Sequence, residues 1–193
     1  MTLYENLPEQ IEFHGKRYRL TLWFDHVLAA LDILRDQTML ETDRIDTALS
    51  FLVRGKYPVD AGLLNAVFDM LSRKKDKTAK NSFDFEQYSA LIYAAFWQAY
   101  GIDLHEMCGK LHWLDFSALL AGLPENTRFS QVVEIRCRPL PKPTKYNAEE
   151  IAQLRRKKAE FALRVSPEDA ERALQKSLAG MANDLIHMAR AGD

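Results

Sequence analysis

Clear alternation of apolar and polar side chains occurs at one place in this chain, its start. Ile11-Glu-Phe13 and Tyr18-Arg-Leu20-Thr-Leu22 alternate on either side of His14-Gly15. That period marks strands with one covered face, and Gly15 supplies the positive φ of a tight turn, so a small β-hairpin is predicted here. A lone two-stranded ribbon is marginal in water, so it must lie on helices or pair with another chain. From Asp25 the period becomes helical, and it stays so wherever the chain is patterned. The fold class that follows is mainly α: a helical bundle with a small N-terminal β-hairpin and a C-terminal helical hairpin.

The helical pattern is punctuated. Val27, Leu28, Leu31 and Leu34 repeat at three- and four-residue spacing, as do Ile45, Leu49 and Leu52, before Gly55-Lys-Tyr-Pro58 interrupts. Ala61, Leu64, Val67, Phe68 and Leu71 restart it, and residues 72–82 read as a polar, basic loop. The next helix is apolar on two faces. Phe85, Tyr88, Leu91, Ile92, Ala95, Phe96 and Ala99 form one stripe, and Tyr93, Trp97 and Tyr100 form a second. Gly101 ends it. Short helices follow from Trp113 to Ala121, closed by Gly122-Leu-Pro124, and from Thr127 to Cys137.

Arg138-Pro-Leu-Pro-Lys-Pro143 blocks helix and favours an extended spacer. The expected organisation is therefore a hairpin plus helical core at 1–137, a proline-rich linker at 138–146 and a helical hairpin at 147–193. Asn147 with Glu150, and Ser166-Pro167 with Asp169, have the form of two helix starts. The first helix carries Ile151, Leu154, Phe161 and Val165. The second carries Leu174, Leu178, Met181, Leu185 and Met188 in a short heptad seam.

Composition removes whole classes of function. The 193 residues include 26 basic and 27 acidic side chains, with 47% hydrophobic residues, too many for a disordered chain. A net charge of -1 argues against a dedicated nucleic-acid binder. Cys108 and Cys137 are the two cysteines, too few for a disulfide framework. There is neither a membrane-spanning apolar run nor the basic start and apolar stretch of a secretory signal, so the expected location is the cytoplasm.

Catalytic signatures are missing too. Each Gly-Lys pair lacks the upstream glycine and following Ser or Thr of a phosphate-cradling loop, and there is no Gly-x-Ser-x-Gly elbow or His-Glu-x-x-His pair. The best metal set is Asp103, His105, Cys108 and His112, since imidazole and thiolate suit zinc. Gly109 weakens the helix that would align them, and the set is rejected. The histidines read as surface or capping groups and Cys108 as a small buried hydrophobe. An acid–base pair drawn from Asp103, Glu106, Asp115 and His112 does not rise above what a chain with 27 carboxylates offers anywhere. The expectation is a protein that is not an enzyme and has no cofactor, metal or catalytic residue.

Protein partners are the remaining class. Tyr93, Trp97 and Tyr100 read first as core and otherwise as a partner-binding face, joined in that role by Leu174, Leu178, Met181, Leu185 and Met188. Residues 136–158 hold eight Lys/Arg against Glu149 and Glu150, a local charge of +6 that leaves -7 elsewhere. Arg155, Arg156, Lys157 and Lys158 are its densest patch. Only Tyr146 offers base stacking there, so nucleic acid is the weaker reading beside an acidic protein surface.

One ordered set of residues resembles a known family. Phe83-Asp84 is followed by Phe96-Trp-Gln-Ala-Tyr100-Gly-Ile-Asp-Leu104, then His112-Trp113 with Phe116, Leu119, Leu120, Gly122 and Leu123, then Val133-Glu-Ile-Arg136. Phe13-His-Gly-Lys-Arg-Tyr18 leading to Phe24-Asp25 fits as well. This pattern resembles the bacteriophage Gp15 family, found in tail-morphogenesis modules of long-tailed phages and prophages of Gram-positive bacteria. The resemblance covers most of the chain and is strongest at 83–136.

It implies a tail assembly chaperone or accessory made beside the tape-measure protein, with no catalytic residues to transfer. Its implied partners are the tape measure and another tail chaperone, and homo-oligomers are an expected consequence of exposed apolar surface. The alternatives are a structural tail component retained in the virion and a nucleic-acid accessory acting through 136–158. The motif residues read as structure: Trp113, Phe116 and Leu120 on one helix face, Gly101 and Gly122 as helix ends, Asp103 as a cap.

Overall fold

The computed structural model of the chain describes residues 6–71 and 83–163. The chain divides into two compact units, Met1–Pro139 and Leu140–Asp193, which are described in turn.

The first unit opens with the expected hairpin, β1 (Gln10–Phe13) and β2 (Lys16–Leu20), with Ile11 opposite Tyr18 and Phe13 opposite Lys16. His14 and Gly15 have φ of 50° and 71°, the two left-handed residues of a type I′ turn. The ribbon does not stand alone. A third strand, β3 (Val53–Arg54), pairs antiparallel with β2 and makes it the central strand. Two residues are too few to show a period, so sequence patterning did not reveal β3.

Three helices cover this sheet: α1 (Phe24–Arg35), α2 (Glu41–Leu52) and α3 (Ala61–Leu71). Val27, Ala30, Ala48, Leu49, Leu63 and Val67 pack with Leu20, Leu22 and Val53 into the main core. The spacings of Val27, Leu31 and Leu34, and of Leu64, Val67 and Leu71, are the ones that place apolar groups on one helix face.

Three further helices follow: α4 (Ser89–Tyr100), α5 (Trp113–Ala121) and α6 (Arg128–Cys137). Phe85 and Tyr88 precede α4 in a turn rather than extending its stripe. Asp84 closes that turn by accepting the Gln87 N–H (2.9 Å) and pairs with Arg35 of α1 (2.9 Å). Gly101 ends α4 at φ 65°, its N–H returning to the Trp97 carbonyl.

Two backbone hydrogen bonds, Phe24 N–H to Leu111 and Trp113 N–H to Leu22, tie the starts of α1 and α5 together. Aromatic side chains then run through this part of the unit. Phe116 stacks on Phe24 (5.0 Å between centroids) and on Phe96 (5.2 Å), and Phe85 leans on Trp113 (5.8 Å). The family-like motif residues are thus mostly packing groups. Arg136 belongs with them, lying over the Tyr88 ring at 5.8 Å.

The second unit begins with an extended segment that matches its prolines, followed by α7 (Ala148–Glu160). Asn147 stands at the start of α7, but its side chain does not cap the helix. It reaches back instead, accepting the Thr144 N–H (2.7 Å) and donating to the Lys142 carbonyl (2.9 Å), which fixes the spacer. Ile151 and Leu154 are the buried face of α7. Val165 and the expected second helix, with Leu174, Leu178, Met181, Leu185 and Met188, lie outside the described residues.

Candidate functional site

An apolar groove lies between the segment at Phe83 and Phe85 and the neighbouring sides of α5 and α6. Its volume is about 800 Å³, within the range of roughly 300–1,000 Å³ typical of concave binding sites. Phe129 forms the floor, 5% exposed, with Phe83 edge-on to it (5.2 Å) and Phe85 edge-on to Phe83 (5.0 Å). Leu120, Leu123 and Val133 line the walls.

The groove's polar edge has two kinds of group. Ser117 donates to the Leu114 carbonyl (3.0 Å) and Ser130 lies 2.9 Å from the Thr127 hydroxyl, so both hydroxyls are engaged locally. The charged lining groups are two exposed carboxylates, Glu125 and Glu134.

These residues carry a signal that sequence reading passed over. Val132 and Val133 are adjacent and apolar, as are Leu119 and Leu120. A helix has room for such a pair on one buried face only when the stripe is wide. Here Val132 is fully buried in the unit while Val133 lines the groove.

The wall holding α6 is firmly built. Thr127, fully buried, caps the helix by accepting the Ser130 N–H (3.3 Å) and anchors it by donating to the Pro124 carbonyl (3.0 Å). Tyr100 of α4 donates its hydroxyl to the Leu119 carbonyl of α5 (2.8 Å).

A second surface is the aromatic face of α4. Trp97 is 55% exposed, its ring stacked on Tyr93 (6.5 Å), and Tyr93 leans on His105 (5.0 Å). Partial burial, then the neighbouring carboxylates of Asp103 and Glu106, hold the Tyr93 hydroxyl above its ordinary pKa. Of the three residues in this stripe, Trp97 is on the surface, Tyr93 is half-buried, and Tyr100 is bound to α5.

The rejected metal set is spread over different environments. Residues 104–110 form turns rather than a helix, with Gly109 at φ 69°, so the three positions do not share a helical face. Asp103 accepts the His105 N–H (2.9 Å), the capping role expected of it. Cys108 is exposed, contrary to its reading as a small buried hydrophobe. Among the described residues, no three His, Cys, Asp or Glu side chains gather closely enough to hold a metal ion.

His112 is buried and caps α5, its Nδ1 accepting the Leu114 N–H (3.1 Å). Nε2 then carries the proton and faces the Pro8 carbonyl without a well-formed hydrogen bond. Burial pushes the imidazole below its ordinary pKa, against the pull of Asp115. Its one acceptor nitrogen is engaged in the cap, so this histidine is poorly placed as a general base. Asp115 shares a hollow with it beside Arg19, Arg54 and Lys110, whereas Asp103 and Glu106 lie with Tyr93.

On α7, Arg155, Arg156 and Lys157 are exposed and Lys158 is half-buried. Among the described residues, no helix is long and apolar enough to cross a membrane.

A family model described as Bacteriophage Gp15 protein matches residues 3–163. The match takes in the hairpin, all the described helices and α7, and so extends beyond the stretch where the motifs are densest. Neither a curated protein nor a solved structure matches the chain.

Proposed function

This chain belongs to the bacteriophage Gp15 family, and on that premise we propose that it is a non-enzymatic assembly chaperone or accessory of tail morphogenesis. It acts in the cytoplasm of the bacterial host, with no cofactor, on helical tail proteins such as the tape measure. The observation that carries the reading is the open apolar groove beside α5 and α6 in a member of a phage family. A long helical protein awaiting its tube exposes apolar seams, and a groove of this shape covers such a seam without chemistry. Trp97 on α4 adds an exposed aromatic contact of the kind enriched at interfaces.

Retention in the virion as a structural tail component is the second reading within the same setting. The exposed basic row on α7 favours a third, an acidic partner or nucleic acid at Arg155, Arg156 and Lys157.

Co-expression with the tape-measure protein of the same gene cluster tests the leading proposal. A soluble complex supports it, and a tape measure equally insoluble alone or together sinks it. Mass spectrometry of purified virions separates a chaperone that departs from a component that stays. Steep salt dependence of DNA binding, lost on neutralising Arg155 to Lys158, would favour the third reading.

A further inference from the structure

We propose that the groove beside α5 and α6 takes one amphipathic helix whose apolar face is flanked by Lys or Arg about two turns apart. The inference deepens the assembly reading and rests on it for the source of the helix; the chemistry comes from the groove itself.

Three observations define the occupant. The floor and walls are Phe129, Phe83, Leu120, Leu123 and Val133, none of which lies in a β-strand, so the groove has no sheet edge for an added strand to extend. A helix needs no such edge, because its backbone groups are satisfied internally. Apolar anchors at i, i+3, i+4 and i+7 present the narrow stripe that a trough between helices accepts.

The rim fixes the flanks. Glu125 stands in the turn before α6, and Glu134 lies in the second turn of that helix. Within α6 the rise from Arg128 to Glu134 is about 9 Å, close to two helical turns, and Glu125 lies on the chain just before that start. Both charged lining groups are carboxylates, so a helix carrying Glu at its flanks meets repulsion at both ends. A helix with Lys or Arg seven residues apart meets attraction at both, while its apolar stripe faces Phe129. The rim therefore selects by charge among helices that the groove would otherwise accept alike.

The test uses the full chain and two synthetic helical peptides, identical in their Leu anchors and differing only in Lys or Glu at the two flanks. Binding is read by fluorescence anisotropy at low salt. The Lys peptide is expected to bind roughly tenfold tighter than the Glu peptide, with the gap narrowing as salt rises. In the double variant Glu125→Lys and Glu134→Lys the order of the two peptides reverses. Ala121→Trp, at an exposed position on the groove wall, abolishes binding of both while thermal unfolding stays near that of the parent.

Equal binding of the two peptides, or undiminished binding by Ala121→Trp, overturns the inference. So does a dimer of this chain that Ala121→Trp dissolves, with no peptide bound, since the occupant would then be a second copy. The two proposals fail separately. A tape measure still solubilised by the Ala121→Trp and charge-reversed chains leaves the assembly reading standing and removes the groove. Peptide binding as expected, with no effect on the tape measure, does the reverse.

Discussion

Thr127 has no solvent exposure and yet carries a hydroxyl, which is affordable because that hydroxyl is fully engaged. It caps α6 through Ser130 and holds the preceding turn through Pro124. Thr127→Ala should therefore cost about 0.5–2 kcal/mol in chemical denaturation, since it removes the side-chain cap, while the backbone N–H of residue 127 still donates to the Pro124 carbonyl. Thr127→Ser should recover most of that loss. His112 gives a pH signature. Its folded pKa lies below the ordinary value of 6.5, so the unfolded chain takes up the proton first as pH falls. The stability it contributes is full above about pH 6.5 and is lost downward through the folded pKa, at no more than about 1.4 kcal/mol per pH unit. Unfolding measured between about pH 7 and pH 5 should show that slope in the parent and lack it in His112→Asn. Parallel profiles would contradict the assignment. At this scale the sequence was readable at Asp103, read as a cap, whose carboxylate accepts the His105 N–H of the turn that follows it; the cap that Thr127 makes on α6 was not read. Asn147 has the same local pattern but its amide finds better partners in Lys142 and Thr144. Those partners belong to the path of the spacer, and no local pattern records that path.

At the scale of elements, the six helices among the described residues of the first unit follow the three- and four-residue repeats closely, and α4 shows the limit of that signal. Its two apolar stripes do not say which one is covered. Phe96 stacks on Phe116 of α5 and is buried, as are Ile92 and Ala95 of the same helix, whereas Trp97 stays on the surface. Trp97→Ala should therefore leave stability within about 0.5 kcal/mol of the parent. Under the interface reading it should weaken capture of a helical tail protein; an unfolding shift as large as that of a core aromatic would place the ring in the core instead. The end of α4 is set by Gly101 at φ 65°, with open space where a Cβ would stand. Gly101→Ala then costs about 1 kcal/mol through backbone conformation alone, readable as a lower denaturation midpoint. The strand β3 was illegible because two residues carry no period, and only the tertiary pairing with Leu20 reveals it.

At the scale of the whole molecule, composition and missing motifs pointed away from catalysis, and the ordered motif pattern pointed to the Gp15 family, to which the chain belongs. The groove could not be read so directly. Leu120, Leu123, Phe129 and Val133 look like ordinary core residues in sequence, and only the way α5, α6 and the Phe83 segment pack leaves a trough among them. The sequence does hold the rim, since Glu125 and Glu134 are plain to see, but their meaning depends on the apolar floor between them. The most direct test of the account is co-expression of the tape-measure protein with the parent chain and with Ala121→Trp, followed by affinity capture and light scattering. The expected result is a soluble complex with the parent and its loss with a variant that remains folded. Failure of the parent to solubilise or capture the tape measure would contradict it.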